Sequence, residues 1–319
     1  MFAFLRNGFT STQRPLVAKL WTSCAILSAI GSANAQHPAT QANPRPAPPQ
    51  PDVYLASLKL DAGKVTVGAP LNITDRPGYD NQPSFATDGS SVFFTSARED
   101  AQADIYRYDI AAKGTARVTA SAPESEYSAT QFDGGRAISV IRVERDSTQR
   151  LWKIPLNGGA PSVILERVKP VGYHAWANDH TLALFVLGSP NTLQLADTRT
   201  GKADTITTNI GRSLHRIPRT DRVSFVHKTS PTEWWIESLD PASRKTARLI
   251  KLPEGVEDYA WISDGSIVCG DGSRLLRWSG KTEDGWREIA DLSTAGVKGI
   301  TRLAISPRAD RIAFVAAGR

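Results

Sequence analysis

The sequence predicts an all-β fold, a six-bladed β-propeller. Three observations predict it. A four-strand plan recurs about every 44 residues, helix-like periodicity is almost absent, and the strand count closes only if the two ends of the chain share one blade. Composition agrees with a globular chain, since 40% of the residues are hydrophobic and 22% are charged. That excludes full-length disorder, collagen and a polytopic membrane protein.

In chain order, residues 53–58 read as a third strand and 65–73 as a fourth, with no first or second strand before them. Five complete repeats and the start of a sixth follow. Each opens with a short strand ending at Phe85, Phe132, Trp176, Ile217, Trp261 or Ile305. Turn residues come next in most repeats: Asp88-Gly89, Asp133-Gly134, Asn178-Asp179 and Asp264-Gly265. A second strand then runs through 91–94, 137–141, 182–185, 223–226, 267–268 and 312–315. Third strands are expected at 105–108, 151–154, 193–195, 234–236 and 275–278, and fourth strands at 116–118, 162–165, 205–207, 247–250 and 286–289. Short β-branched and aromatic runs between turn signals are antiparallel strands. The sixth repeat stops after two strands, so strands from 53–74 must pair with those of 301–315 to close the ring. A blade buries its faces only against its neighbours.

Three segments are expected. Residues 1–19 hold Arg6, Arg14 and Lys19 and no acid, residues 20–30 are mostly apolar, and Ala33-Asn34-Ala35 follows. This order describes a secretory signal peptide over 1–35, cleaved after Ala35. The apolar run is far shorter than the roughly 20 residues of a membrane-spanning helix, so no transmembrane span is expected in the mature chain. Residues 36–52 carry six prolines and few large apolar side chains, and read as a disordered linker. Residues 53–319 form the propeller. The signal segment supplies half of the net charge of +6, and no Lys/Arg cluster remains that would point to nucleic acid. Cys269 would be the one cysteine left after cleavage, which allows neither an intrachain disulfide nor a cysteine-based metal site. A monomer is expected.

Pro83-Ser84-Phe85-Ala86-Thr87-Asp88-Gly89 with Val92-Phe93-Phe94, and Ile305-Ser306-Pro307 with Arg311-Ile312-Ala313-Phe314-Val315, resemble the WD40-like (PD40) repeat of the TolB family. The Trp-Asp and Gly-His hallmarks of true WD40 repeats are missing. The resemblance covers 53–315, the propeller alone. It implies a periplasmic six-bladed propeller that acts as a protein-binding scaffold. TolB also carries an α/β domain before the propeller, where this chain has the proline-rich segment. The same repeat builds the lid of prolyl oligopeptidase-like enzymes, but their Gly-x-Ser-x-Gly turn occurs nowhere here.

No His-Glu-x-x-His pair or Cys/His cluster is present, and no catalytic residue or cofactor is assigned. Gly158-Gly159 and Gly270-Asp271-Gly272 read as turns. Propellers place function around the central channel, so the segments entering each first strand are the candidates for partner or ligand binding: Arg76, Tyr79, Asp80, Tyr127, Tyr173, His174, Arg212, His215, Asp258, Tyr259 and Arg302. Tyrosine and arginine combine contact area with hydrogen bonding and are enriched in binding hot spots. His174, His215 and Tyr259 occupy equivalent repeat positions, with plain blade packing as their other reading. A divalent metal in the channel would draw on Asp80, Glu126, His174, His215 and Asp258. The expected function is an envelope scaffold that binds a protein or peptide. A metal-dependent hydrolase or lyase and a ligand-sensing propeller are the alternatives.

Overall fold

Five consecutive four-stranded antiparallel sheets follow one another along the chain, and a sixth sheet joins the two ends. The computed structural model describes residues 50–98, 102–281 and 283–318. The expected signal peptide and all but the last residues of the expected linker lie outside them. Blade 1 comprises Tyr79–Phe85, Ser91–Ala97, Ala103–Asp109 and Gly114–Arg117. Blade 2 comprises Ser125–Phe132, Ala137–Val143, Gln149–Pro155 and Ser162–Val163. Blade 3 is built from Val171–Trp176, Thr181–Val186, Thr192–Asp197 and Lys202–Thr208. Blade 4 is built from Ile210–Arg216, Val223–Ser230, Glu233–Leu239 and Thr246–Lys251. Blade 5 holds Tyr259–Trp261, Ile267–Asp271, Arg274–Trp278 and Arg287–Asp291.

Blade 6 takes Thr301–Ile305 and Arg311–Ala317 from the C-terminal side, and Pro51–Asp61 and Lys64–Val67 from the N-terminal side. Pro51–Asp61 pairs with Arg311–Ala317 from Pro51↔Ala317 to Ser57↔Arg311, which closes the ring as the strand count requires. Two details differ from expectation. Pro51 and Asp52, assigned to the linker by composition, belong to this strand, because buried Asp52 accepts hydrogen bonds from Asn72 Nδ2 (2.8 Å) and Thr74 Oγ1 (3.2 Å). The expected fourth strand also breaks into Lys64–Val67 and Leu71–Asn72. The break falls at Gly68, where a Cβ would lie 2.2 Å from Ser57 Oγ, and at Pro70, which has no N–H to donate.

The burial pattern follows from each strand's place in its blade. Second strands are buried along nearly their whole length, as in Ser91–Ala97 and Ala137–Val143, because neighbouring blades cover both faces. Gly114–Arg117, an outer strand, is exposed throughout and polar, which suits an unpaired edge. Among the described residues, six hydrophobic clusters fill the ring, each spanning two adjacent blades. First strands line the axis. In five blades their pairing with the second strand is interrupted by a bulge, for example between Asn81 and Ser84 or between Thr301 and Ala304. Bulges turn a strand and re-aim the side chains at the break.

Candidate functional site

A cavity of about 500 Å³ runs along the first strands at the ring's centre. Its lining extends from Tyr173, Arg212, Asp258 and Arg302 near the strand starts to Thr87, Pro218 and Pro307 in the turns after them. Seven of the eleven predicted residues line it: Tyr173, His174, Arg212, His215, Asp258, Tyr259 and Arg302. The other four do not. Asp80 is fully buried and accepts from Arg76 Nη1 at 2.8 Å, while Arg76 Nη2 donates to the Ala97 carbonyl at 3.1 Å. That pair anchors the start of blade 1. Burial raises the Asp80 carboxyl against the opposing pull of Ser96 and Arg76. Tyr127 packs partly buried in the cluster between blades 2 and 3. Tyr79 sits within electrostatic reach of Arg302, Tyr173, Tyr127 and Arg212, and burial pushes its hydroxyl up to about 12. It therefore stays protonated, a hydrogen-bond donor.

Charge in the cavity centres on Asp258. Arg212 donates to it from Nε (3.1 Å) and Nη2 (2.6 Å), and Ser213 Oγ donates at 3.1 Å. Burial pushes the Asp258 carboxyl up, but Arg212, Arg302 and Ser213 together outweigh it and leave it below its ordinary value. Burial likewise opposes the Arg212 charge, and Asp258 more than offsets that, so its pKa is raised. Arg302 Nε stands 3.8 Å from Asp258 Oδ1, too far for a hydrogen bond. Arg302 Nη2 instead donates to the Tyr173 hydroxyl at 2.9 Å, with the guanidinium 4.9 Å from that ring's centroid. One aspartate thus serves two arginines.

The histidines are packing groups in part. His174 Nε2 lies 2.7 Å from Ser139 Oγ, and Trp176 Nε1 donates to the same oxygen at 2.9 Å. With Nε2 protonated, Ser139 accepts from both rings and donates to the Thr130 carbonyl at 3.2 Å. Two blades on, Ser224 accepts from the Tyr259 hydroxyl and from Trp261 Nε1, each at 2.8 Å, and reaches the His215 carbonyl at 3.4 Å. His174 and Tyr259 are therefore equivalent in role, as their repeat positions suggest, and each clamps its blade to the one before. His215 packs tilted against Tyr259, with centroids 4.6 Å apart and planes at 59°. Burial lowers His174 to about 3 and His215 to about 4, so both are neutral near pH 7.

Sequence reasoning passes over Ser139, Ser224 and Ser213, which show no motif, and the bulge residues Gln82 and Ser128. Gln82, Ser128 and Arg302 all line the cavity, with φ of 56°, 54° and 50°. Only the Tyr/His-Ala-Trp triplets hint that a partner serine is needed. Trp234 and Trp235 are both half-buried, under Lys228 (4.0 Å) and Arg248 (4.8 Å).

Among the described residues no group of three or more His, Cys, Asp and Glu converges. Glu126 is buried elsewhere, accepting from Ser121 and from Arg142 Nε at 2.9 Å. Asp258, the remaining candidate carboxylate, already faces two guanidinium groups, which repel a cation.

No family model and no curated protein matches the chain. Solved structures do. A protein assigned as TolB from Agrobacterium tumefaciens aligns with a TM-score of 0.64 at 13% identity, covering 86% of this chain and all of that one. The fold is that of a TolB-type propeller. TolB from Acinetobacter baumannii aligns at a TM-score of 0.56 and 10% identity, covering 84% of this chain and 65% of its own. An oligogalacturonate lyase in complex with manganese aligns at 0.52 and 15% identity, covering 78% of this chain and 80% of its own. At such identities the TolB-type likeness concerns the fold alone. Among the described residues, no helix is long and apolar enough to cross a membrane.

Proposed function

We propose that this chain is an exported propeller of the cell envelope that binds a protein or peptide partner through its central channel. The observation that carries the reading is the lining of the channel. Tyr173, Arg212 and Arg302 stand together in a cavity of about 500 Å³, the residue types of binding hot spots in a space sized for a few side chains. Export rests on the signal-like order of residues 1–35, and the fold it shares with TolB agrees with a place in the periplasm.

The test is a crosslinking pull-down with the full chain expressed in cells with an envelope, after fractionation has located it. A variant carrying Tyr173→Phe and Arg302→Ala serves as the comparison. A partner captured by the native chain and lost in the variant is the expected result. Capture of the same partner by both would move the binding face elsewhere, and cytoplasmic retention would overturn the envelope reading. The metal-dependent alternative predicts that manganese raises Tm by mass action. The expected outcome is an unchanged Tm.

A further inference from the structure

We infer that the channel floor is a carboxylate-binding subsite in which Arg302 receives the anion, flanked by Arg212 and the Tyr173 hydroxyl. The inference rests on the channel being the binding face and names the chemistry recognised there.

The first argument is charge. Four charged side chains line the cavity: Arg212, Arg216, Arg302 and Asp258. Arg216 pairs with Asp221 at 3.0 Å. Asp258 is held bidentately by Arg212 and also by Ser213. Arg302 has only a neutral phenol as a hydrogen-bond partner among the described residues, though its side chain is just 16% exposed. A charge taken that far out of water without a carboxylate of its own is under-compensated. The two neutral histidines supply no anion. Two arginines therefore share one carboxylate, Asp258, which Arg212 holds at 2.6 Å and Arg302 approaches only to 3.8 Å.

The second argument is the backbone. Arg302 sits at the bulge between Thr301 and Ala304 with φ of 50°. A left-handed conformation costs a non-glycine residue roughly 1–2 kcal/mol, a cost glycine would avoid. Gln82 and Ser128 hold the same conformation at their own bulges, so the strain belongs to the bulge, and its effect here is to re-aim the arginine. The bulge turns this arginine to the axis, beside Tyr173 from a blade on the far side of the ring.

Geometry and charge together select the ligand. A guanidinium fork takes a carboxylate through two parallel hydrogen bonds. The Arg212, Arg302 and Asp258 group carries a net charge of about +1, which suits a monoanion. A phosphate dianion beside Asp258 would be repelled. The carboxylate can belong to an acidic residue of a peptide or to a small sugar acid.

Calorimetry on the full chain tests this with four probes: an acetylated, amidated Ala-Glu-Ala peptide, its glutamine counterpart, N-acetylmuramic acid and inorganic phosphate. A carboxylate probe should bind while the glutamine peptide does not. Arg302→Ala should weaken it at least 10-fold, and Asp258→Asn should tighten it by removing the competing anion. Binding of the glutamate peptide alone assigns the carboxylate to a peptide, and binding of the sugar acid alone assigns it to a small molecule. If Arg302→Ala does not fold by circular dichroism, Arg302→Lys keeps the charge, loses the fork, and should still weaken binding several-fold. Equal affinity for the glutamate and glutamine peptides, unchanged affinity in a folded Arg302 variant, or preference for phosphate would overturn the inference. A partner captured in the pull-down without carboxylate binding would overturn this subsite and leave the scaffold reading standing. Carboxylate binding without a partner would do the reverse.

Discussion

Two histidines, His174 buried and His215 half-buried, set an acid limit on the inner strands. His174 has its pKa lowered from 6.5 to about 3, and His215 to about 4, with burial as the main cause in both. Above about pH 6.5 each is neutral whether the chain is folded or not. Below it, the unfolded chain takes up a proton that the folded chain resists, so stability falls as pH drops toward the folded value. Each pH unit is worth at most about 1.4 kcal/mol per histidine. Between pH 7 and pH 5, a His174→Gln variant should therefore lose about 2 kcal/mol less than the native chain in urea unfolding. Equal losses would show that His174 does not carry the effect. Ser128 is a second residue-scale case. It holds a left-handed φ of 54°, and its buried hydroxyl has no hydrogen-bond partner among the described residues. Ser128→Gly removes both costs and should raise stability by about 1 kcal/mol. A loss of stability by the same measurement would mean that the hydroxyl has an unseen use.

At the scale of the element, first strands do two jobs at once. One face of each holds the blade to its neighbour, and the other shapes the channel. The serine clamps join these jobs: Ser139 ties Thr130 of its own blade to His174 and Trp176 of the next, and Ser224 repeats the pattern with Tyr259 and Trp261. Ser224→Ala would leave a phenol and an indole N–H without their acceptor. The expected cost is about 2–3 kcal/mol, read by urea unfolding. A cost under about 0.5 kcal/mol would mean that the rings find other partners. Both clamps involve rings that line the cavity, so the same variant should also disturb carboxylate binding, though less than Arg302→Ala does.

The propeller of the described residues is a ring, and its closure depends on pairing Pro51–Asp61 with Arg311–Ala317. Tyr54 stacks on Phe314 with centroids 5.6 Å apart and planes 6° from parallel. Phe314 is fully buried in the cluster that spans blades 5 and 6. Phe314→Ala should cost about 3–5 kcal/mol. Hydrogen exchange would locate the damage, because protection of residues 53–57 should fall more than that of blade 3, across the ring. A uniform loss would instead show that the ring opens only as a unit. Arg302 depends on the same closure, since its strand pairs directly with Arg311–Ala317.

The repeat was readable because a blade is local. Its four strands follow one another through short turns, so alternation, Asp-Gly turns and spacing all appear within about 44 residues of chain. Closure was readable from arithmetic, since two unmatched strands stood at each end. The break in the outer strand of blade 6 is only half legible: Pro70 stands in the sequence, but the closeness of Ser57 that leaves no room for a Cβ at position 68 does not. The channel residues were named by position, but their roles were not. Arg212 meets Asp258 across 46 residues of sequence, and Arg302 meets Tyr173 across 129. Asp80 looks like a channel carboxylate in the sequence and turns out to be the buried partner of Arg76. Period and turn chemistry are short-range properties that one strand carries within itself. Which arginine holds the aspartate closely and which only shares it depends on blades brought together only when the ring closes.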